Sequence, residues 1–95
     1  MPKFLGIHTF PPGAFTEVQV RGLAAAGQLD PLVRGYRSFV SLTAGKAVCV
    51  MEGPDRAAVA AWFRKVGIPT DSITPLDLEG ECGDVRIQHD DAVVA

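Results

Sequence analysis

The chain has little cysteine. Its 95 residues hold two, Cys49 and Cys82, and neither belongs to a Cys-x-x-Cys motif. That excludes a framework of paired disulfides and leaves both as expected reduced thiols. Charge of one sign is also lacking: nine Lys plus Arg stand against eleven Asp plus Glu, a net charge of −2 at pH 7, with a pI near 5.5. Such a balance offers no net field for phosphate backbones or anionic lipid, so nucleic acid and membrane surfaces are not expected partners. No stretch approaches the ~20 apolar residues that a bilayer span requires. Met1-Pro2-Lys3 is followed only by Phe4 to Ile7 before His8 intervenes, too short a run for a signal peptide, so a cytoplasmic location is expected. Catalytic signatures are missing as well. There is no Gly-x-Gly-x-x-Gly, Walker loop, Gly-x-Ser-x-Gly elbow or His-Glu-x-x-His, which disfavours ordinary hydrolase or nucleotide chemistry.

What is present is the material of one globular domain. The chain is 47% hydrophobic and 21% charged, with mean hydropathy +0.19, too apolar to stay unfolded by charge. At this length folding buries roughly 60 to 65% of the unfolded surface, enough for one core. Residues 3–10 alternate as a first strand, stopped by Pro11-Pro12-Gly13. Thr16 with Gln19 reads as a capping box, and Val20, Leu23, Ala24 and Gly27 follow on one helical face, predicting a helix over 16–28. Residues 33–42 and 47–52 read as a hairpin around Thr43-Ala44-Gly45-Lys46, with Tyr36, Ser38 and Val40 on one face of the first run and Arg37, Phe39 and Ser41 on the other. Asp55 caps a second helix carrying Val59, Trp62, Phe63 and Val66, with Gly67 as its C-terminal cap. Residues 72–78 predict a fourth strand with Pro75 at an edge or bulge, Gly80 to Gly83 break the pattern, and 84–88 predict a short extra strand before a terminal tail.

The order β-α-β-β-α-β predicts an α+β, ferredoxin-like sandwich over residues 1–79, a four-stranded antiparallel sheet with both helices on one face, and a C-terminal extension over 80–95. Alternation sorts the central strands into two sets. Leu5, Ile7, Val48 and Val50 are expected under the helices, leaving Phe4, His8, Cys49 and Met51 on the open face. An open apolar patch of this kind predicts burial against a second copy, hence a homodimer.

The sharpest chemical constellation is His8 with Cys49, on neighbouring central strands and on the same face. An imidazole nitrogen and a thiolate suit Ni(II), Zn(II) or Cu(II), and Glu52 or a partner subunit could add donors. The plain alternative makes Cys49 a small buried hydrophobe and His8 an ordinary strand residue. His89, Asp90 and Asp91 form a second cluster of metal-ligating types, more simply read as solvated charge. Cys82 lies between Glu81 and Gly83, near Asp84, a setting that disfavours the thiolate. Trp62 and Phe63 read as packing. Arg34, Arg37, Arg64 and Lys65 are scattered cations, the last two placed to complement the end of the second helix.

Three runs then become recognisable: Tyr36-Arg37-Ser38-Phe39-Val40-Ser41; Gly45-Lys46-Ala47-Val48-Cys49-Val50-Met51-Glu52-Gly53-Pro54-Asp55; and Val66-Gly67-Ile68-Pro69-Thr70-Asp71-Ser72-Ile73. Together with residues 1–10 they resemble a family of small bacterial nickel-binding ferredoxin-like proteins, much of it known as a domain of unknown function, over residues 1 to 78. The resemblance implies a homodimeric α/β sandwich with nickel or another divalent transition metal as its ligand. Cys49 matches the family's third-strand cysteine, Glu52 the glutamate that ends that strand, and His8 a first-strand position where relatives hold a polar residue. Trp62 departs from the pattern: many relatives carry a histidine there, and an indole nitrogen cannot ligate a metal.

Three readings follow. In the first, His8, Cys49 and Glu52 hold a divalent ion on the open face near a dimer interface, with affinity falling as pH drops through ~6 to 7. In the second, the chain is a dimeric enzyme resembling small cofactorless monooxygenases and isomerases, with His8 as general base in a cavity of ~300 Å³. The third is an interaction module without a site.

Overall fold

The computed structural model describes residues 1–87. The chain runs β1 (Lys3–Thr9), α1 (Glu17–Ala26), β2 (Arg34–Ser41), β3 (Lys46–Glu52), α2 (Arg56–Val66), β4 (Ser72–Pro75), β5 (Leu78–Glu81) and β6 (Asp84–Ile87). Four strands form an antiparallel sheet in the order β2-β3-β1-β4, and β5 with β6 forms a second, two-stranded sheet. The fold is therefore α+β, with two helices over one four-stranded sheet and a small C-terminal hairpin.

Local chemistry explains the helix ends. Thr16 accepts from the Gln19 amide at 3.2 Å while the Gln19 side chain accepts from the Thr16 amide at 2.8 Å, so α1 begins at the capping box that the sequence announces. Asp55 caps α2 by accepting from the Ala58 amide at 2.8 Å. Gly67 closes α2 in the left-handed region at φ 77°, a conformation a side chain would resist.

The two faces of the sheet are the reverse of the sequence expectation. Phe4, Met51 and Ile73 are buried with Val59, Trp62 and Phe63 of α2, and Cys49 packs against this cluster. His8, on the same face, is 1% exposed. Leu5, Ile7, Val48 and Val50 occupy the open face instead, where Ile7 is 39% exposed. Alternation determines which residues share a face, but here both sets are apolar, so it cannot say which set the helices cover. The long Phe4 and Met51 side chains meet the aromatic pair on α2, and the branched set is left outside.

Two further departures come from local irregularity. The register between β2 and β3 shifts between Gly35 and Arg37, so Tyr36 is a bulge residue; Ser38 and Val40 do share the covered face, and Tyr36 does not join them in register. Pro75 ends β4, because a proline has no amide for continued pairing, and residues 78–81, expected to straddle a strand end and a break, form β5 instead. Strand β6 realises the predicted short extra strand. Cys82 and Gly83, at φ 51° and 90°, make the two-residue turn between β5 and β6. The hairpin is tied to the sheet by the Tyr36 hydroxyl, which donates to Glu79, and by Arg37 at 3.9 Å from Glu81.

Candidate metal centre

His8 sits on β1, under the helix layer, one alternation step from Gly6. Its Nδ1 lies 2.9 Å from the Pro69 carbonyl oxygen, in the turn that follows α2. A carbonyl only accepts, so Nδ1 carries the hydrogen and donates it. The other ring nitrogen, Nε2, is then a bare lone pair, and it is buried without a hydrogen-bond partner. Thr70 Oγ1 lies 3.3 Å from Nδ1 and donates to the Ile68 carbonyl at 3.1 Å. Burial lowers the imidazole below its ordinary pKa, outweighing the opposite pull of the Pro69 bond and the charge of Asp71. A neutral imidazole with one nitrogen held by a carbonyl and the other free is the arrangement in which histidine ligates metals.

Cys49 is brought to the same place by the register of the sheet. Gly6 is its direct cross-strand partner. The His8 ring leans back over that glycine, so that Nε2 stands 3.0 Å from where a Cβ on Gly6 would be. The imidazole and Phe63 therefore share the space above Gly6, the residue that Cys49 opposes across the ladder. Phe63 completes the enclosure, edge-on to the His8 ring with centroids 4.6 Å apart. Burial pushes the Cys49 thiol up to about 11, so at neutral pH it carries its proton.

Both side chains line a cavity of about 180 Å³ between α1, α2 and the sheet. Its walls are largely apolar, with Val20, Leu23 and Ala24 of α1 opposite His8, Cys49 and Trp62. No residue of α1 is buried, so the helix roofs the cavity without filling it.

The other predicted residues are placed elsewhere. Glu52 is on the open face, 3.7 Å from Lys3, and the sheet separates it from His8 and Cys49. The parity of β3 sets this, since positions 49 and 52 differ by an odd number. The expected site on the open face is thereby corrected: the histidine and cysteine lie on the face that the helices cover and line one cavity there. Trp62 is 7% exposed, packed on Phe63 at 5.7 Å, and lines the cavity as an apolar wall. Cys82 is exposed in its turn. His89, Asp90 and Asp91 lie outside the described residues. Among the described residues no three His, Cys, Asp or Glu side chains cluster as a metal-ligating group. Met51, which sequence reasoning treated only as apolar surface, also lines the cavity and brings a thioether. Its signal was the shared parity with Cys49.

A family model described as "Nickel responsive protein SCO4226-like" matches residues 4–76. The chain belongs to the SCO4226-like nickel responsive protein family. A crystal structure of SCO4226 from Streptomyces coelicolor A3(2) is similar in fold, with a TM-score of 0.68 at 23% identity, covering 82% of this chain and 99% of that one. No curated protein matches. The family match spans β1 through β4, so it includes every element that builds the His8 and Cys49 cavity and leaves the C-terminal hairpin outside. No helix among the described residues is long and apolar enough to cross a membrane.

Proposed function

We propose that this chain is a small metal-binding protein of the nickel response, a ferredoxin-like homodimer of the cytoplasm that takes up a transition-metal ion on His8 and Cys49. The ion is cargo or signal, and no reaction is assigned to it. One observation carries the reading: His8, 1% exposed, lines a cavity together with a thiol, and its buried Nε2 has no hydrogen-bond partner. A buried polar atom left unpaired costs on the order of 1 to 3 kcal/mol, and folds retain that cost where a ligand removes it. Imidazole nitrogen and thiolate sulfur suit nickel, zinc or copper. The strand order and the two helices on one face support the ferredoxin-like assignment. The exposed apolar set on the other face, including Ile7 and Phe39, supports dimerisation there.

The second reading, an enzyme with His8 as base, is less well supported, because a cavity of about 180 Å³ is smaller than the ~300 Å³ at which pockets begin to enclose substrates of ordinary size. The test is calorimetric titration of reduced, untagged protein with Ni(II) and with Zn(II), beside Cys49→Ser and His8→Gln. Saturable binding, one ion per chain, lost in both variants, is expected. Binding that survives in either variant, or none in the parent, overturns the reading.

A further inference from the structure

The C-terminal hairpin is a ribbon of two strands that contributes nothing to the core. A two-stranded ribbon alone in water is marginally stable at best. Among the described residues, the hydrogen bonds and ion pairs of β6 run to β5 alone, and all four of its residues are exposed. One face of the ribbon carries Leu78, Val85 and Ile87, which are 61%, 66% and 60% exposed. Edge strands are commonly blunted by proline, a bulge, a cover or repelling charge. Strand β6, Asp84-Val85-Arg86-Ile87, has no proline, bulge or cover, and its two charges are of opposite sign.

Those charges are unevenly satisfied. Arg86 is shared by Glu79 at 3.4 Å and Glu81 at 3.1 Å. Asp84 has no ion-pair partner among the described residues, and it stands directly opposite Glu81, a like-charge pair that weakens a ribbon. The turn decides which backbone groups are free. In a hairpin with a two-residue turn the flanking residues, Glu81 and Asp84, exchange hydrogen bonds, and alternation then assigns those of Arg86 to Glu79. The N–H and C=O of Val85 and Ile87 therefore point away from β5, along the outer edge.

We propose that this edge pairs with β6 of a second copy, antiparallel about a two-fold axis at Val85, joining the two hairpins into one four-stranded sheet. Charge sets the register. A two-fold centred on Asp84 opposes Asp84 to itself, one centred on Arg86 opposes Arg86 to itself, and one centred on Ile87 leaves Asp84 to Arg86 opposite no residue of β6. Centred on Val85, each Asp84 stands opposite the partner subunit's Arg86, twice by symmetry, at positions without hydrogen bonds where side chains approach closest. Val85 exchanges two hydrogen bonds with the partner subunit's Val85, and Asp84 gains the counter-charge that its own chain withholds. The hairpin also adjoins the open face, because Leu78 and Glu79 meet Lys3, Arg37 and Val50 around a small pocket. The strand joint thus continues the dimer contact proposed for that face; it rests on the homodimer reading and names an element that holds the dimer.

The experiment uses the full chain carrying Cys82→Ser, so that the exposed thiol of the turn takes no part. Val85→Cys or Ile87→Cys is added, and the protein is oxidised gently. A disulfide needs Cα atoms roughly 4.4 to 6.8 Å apart, and the joint sets the two Cα atoms at position 85 about 5.5 Å apart and those at position 87 about 14 Å apart. Val85→Cys should therefore give a covalent dimer about tenfold or more faster than Ile87→Cys. A second arm needs no introduced cysteine. Asp84→Arg sets a positive charge opposite Glu81, which favours its own hairpin, and opposite the partner subunit's Arg86, which opposes the joint. In sedimentation equilibrium it should raise the dissociation constant about tenfold, less at high salt, with an unchanged circular dichroism spectrum. Linkage at position 87 ahead of position 85, or a dimeric parent that Asp84→Arg leaves unaffected, overturns the strand joint and leaves the open-face dimer standing. A parent that is monomeric throughout removes both.

Discussion

His8 donates its Nδ1 hydrogen to the carbonyl oxygen of Pro69 across 2.9 Å, and this bond decides which end of the ring faces the cavity. Pro69 belongs to the turn after α2, so the end of a helix fixes the tautomer of a residue on the central strand. In nitrogen NMR of metal-free protein at neutral pH, His8 should show the Nδ1–H tautomer, with Nε2 at the chemical shift of an unprotonated nitrogen. A predominantly Nε2–H imidazole would mean that the lone pair points at the carbonyl and the site as described does not exist.

The same burial makes the metal-free protein sensitive to pH on both sides of neutrality. The folded pKa of His8 lies below its ordinary value of 6.5, so below that value the unfolded chain binds more protons than the folded one, and stability falls as pH drops through and below 6.5. Cys49 behaves in the opposite sense. Its folded pKa is pushed up from 9.0 to about 11, so between those values the unfolded thiol has lost a proton that the folded one keeps, and stability falls as pH rises. Urea denaturation at a series of pH values should show a plateau between about 7 and 8.5, with His8→Gln flattening the acid limb and Cys49→Ser the alkaline limb, the latter by up to about 2 to 3 kcal/mol. Limbs unchanged in these variants would assign the dependence to other groups.

Gly6→Ala tests the close approach on which the site depends. A Cβ there would stand 2.7 Å from Cε2 and 2.8 Å from Cζ of Phe63, and 3.0 Å from His8 Nε2. Phe63 is 1% exposed and cannot swing away. The substitution should cost about 1 to 3 kcal/mol in denaturant unfolding and should also weaken metal uptake, because the imidazole must shift from its place over Gly6. An alanine variant as stable as the parent would show that ring and glycine are not in contact.

How much of this was readable beforehand depends on the range of the interaction concerned. Thr16 with Gln19, Asp55 and Gly67 mark helix ends through contacts with their own neighbours, and those ends fall where the sequence places them. The pairing of His8 with Cys49 was also legible, since two strands of known parity bring them to one face. Which face the helices cover was not, because Phe4 and Met51 on one side and Leu5, Ile7, Val48 and Val50 on the other are equally apolar, and only the shape of Trp62 and Phe63 on α2 decides between them. Glu52 was put forward for its carboxylate at the end of the cysteine's strand, and then by resemblance, against its own parity with Cys49. The bulge at Tyr36 and the turn at Cys82 and Gly83 rest on backbone angles that no periodicity announces.

That turn makes a prediction of its own. Cys82 holds φ at 51° ahead of Gly83 at 90°, and a two-residue turn with both angles positive favours Asn followed by Gly. Cys82→Asn should therefore stabilise the hairpin by about 0.5 to 1 kcal/mol, read as a higher Tm, and should abolish disulfide-linked dimers on air oxidation. A lower Tm would mean that the turn is not of this type in solution.

The open face supplies the last test. Leu5, Ile7, Val48 and Val50 line its centre and Phe39, on β2 beside them, is 65% exposed. A monomer rarely leaves such a surface in water, and the sheet itself keeps it separate from the His8 cavity on the other side. Docking two copies through these residues would hide the branched set, and replacing Phe39 by a carboxylate would set two like charges into the joint. Phe39→Asp should thus shift the protein from dimer to monomer in sedimentation equilibrium, raising the dissociation constant by about tenfold or more, while the fold and the uptake of metal persist. Retention of metal by the monomer is the informative half of this outcome, because a site built from one chain under its own helices needs no partner, whereas loss of metal together with the dimer would return the site to the interface.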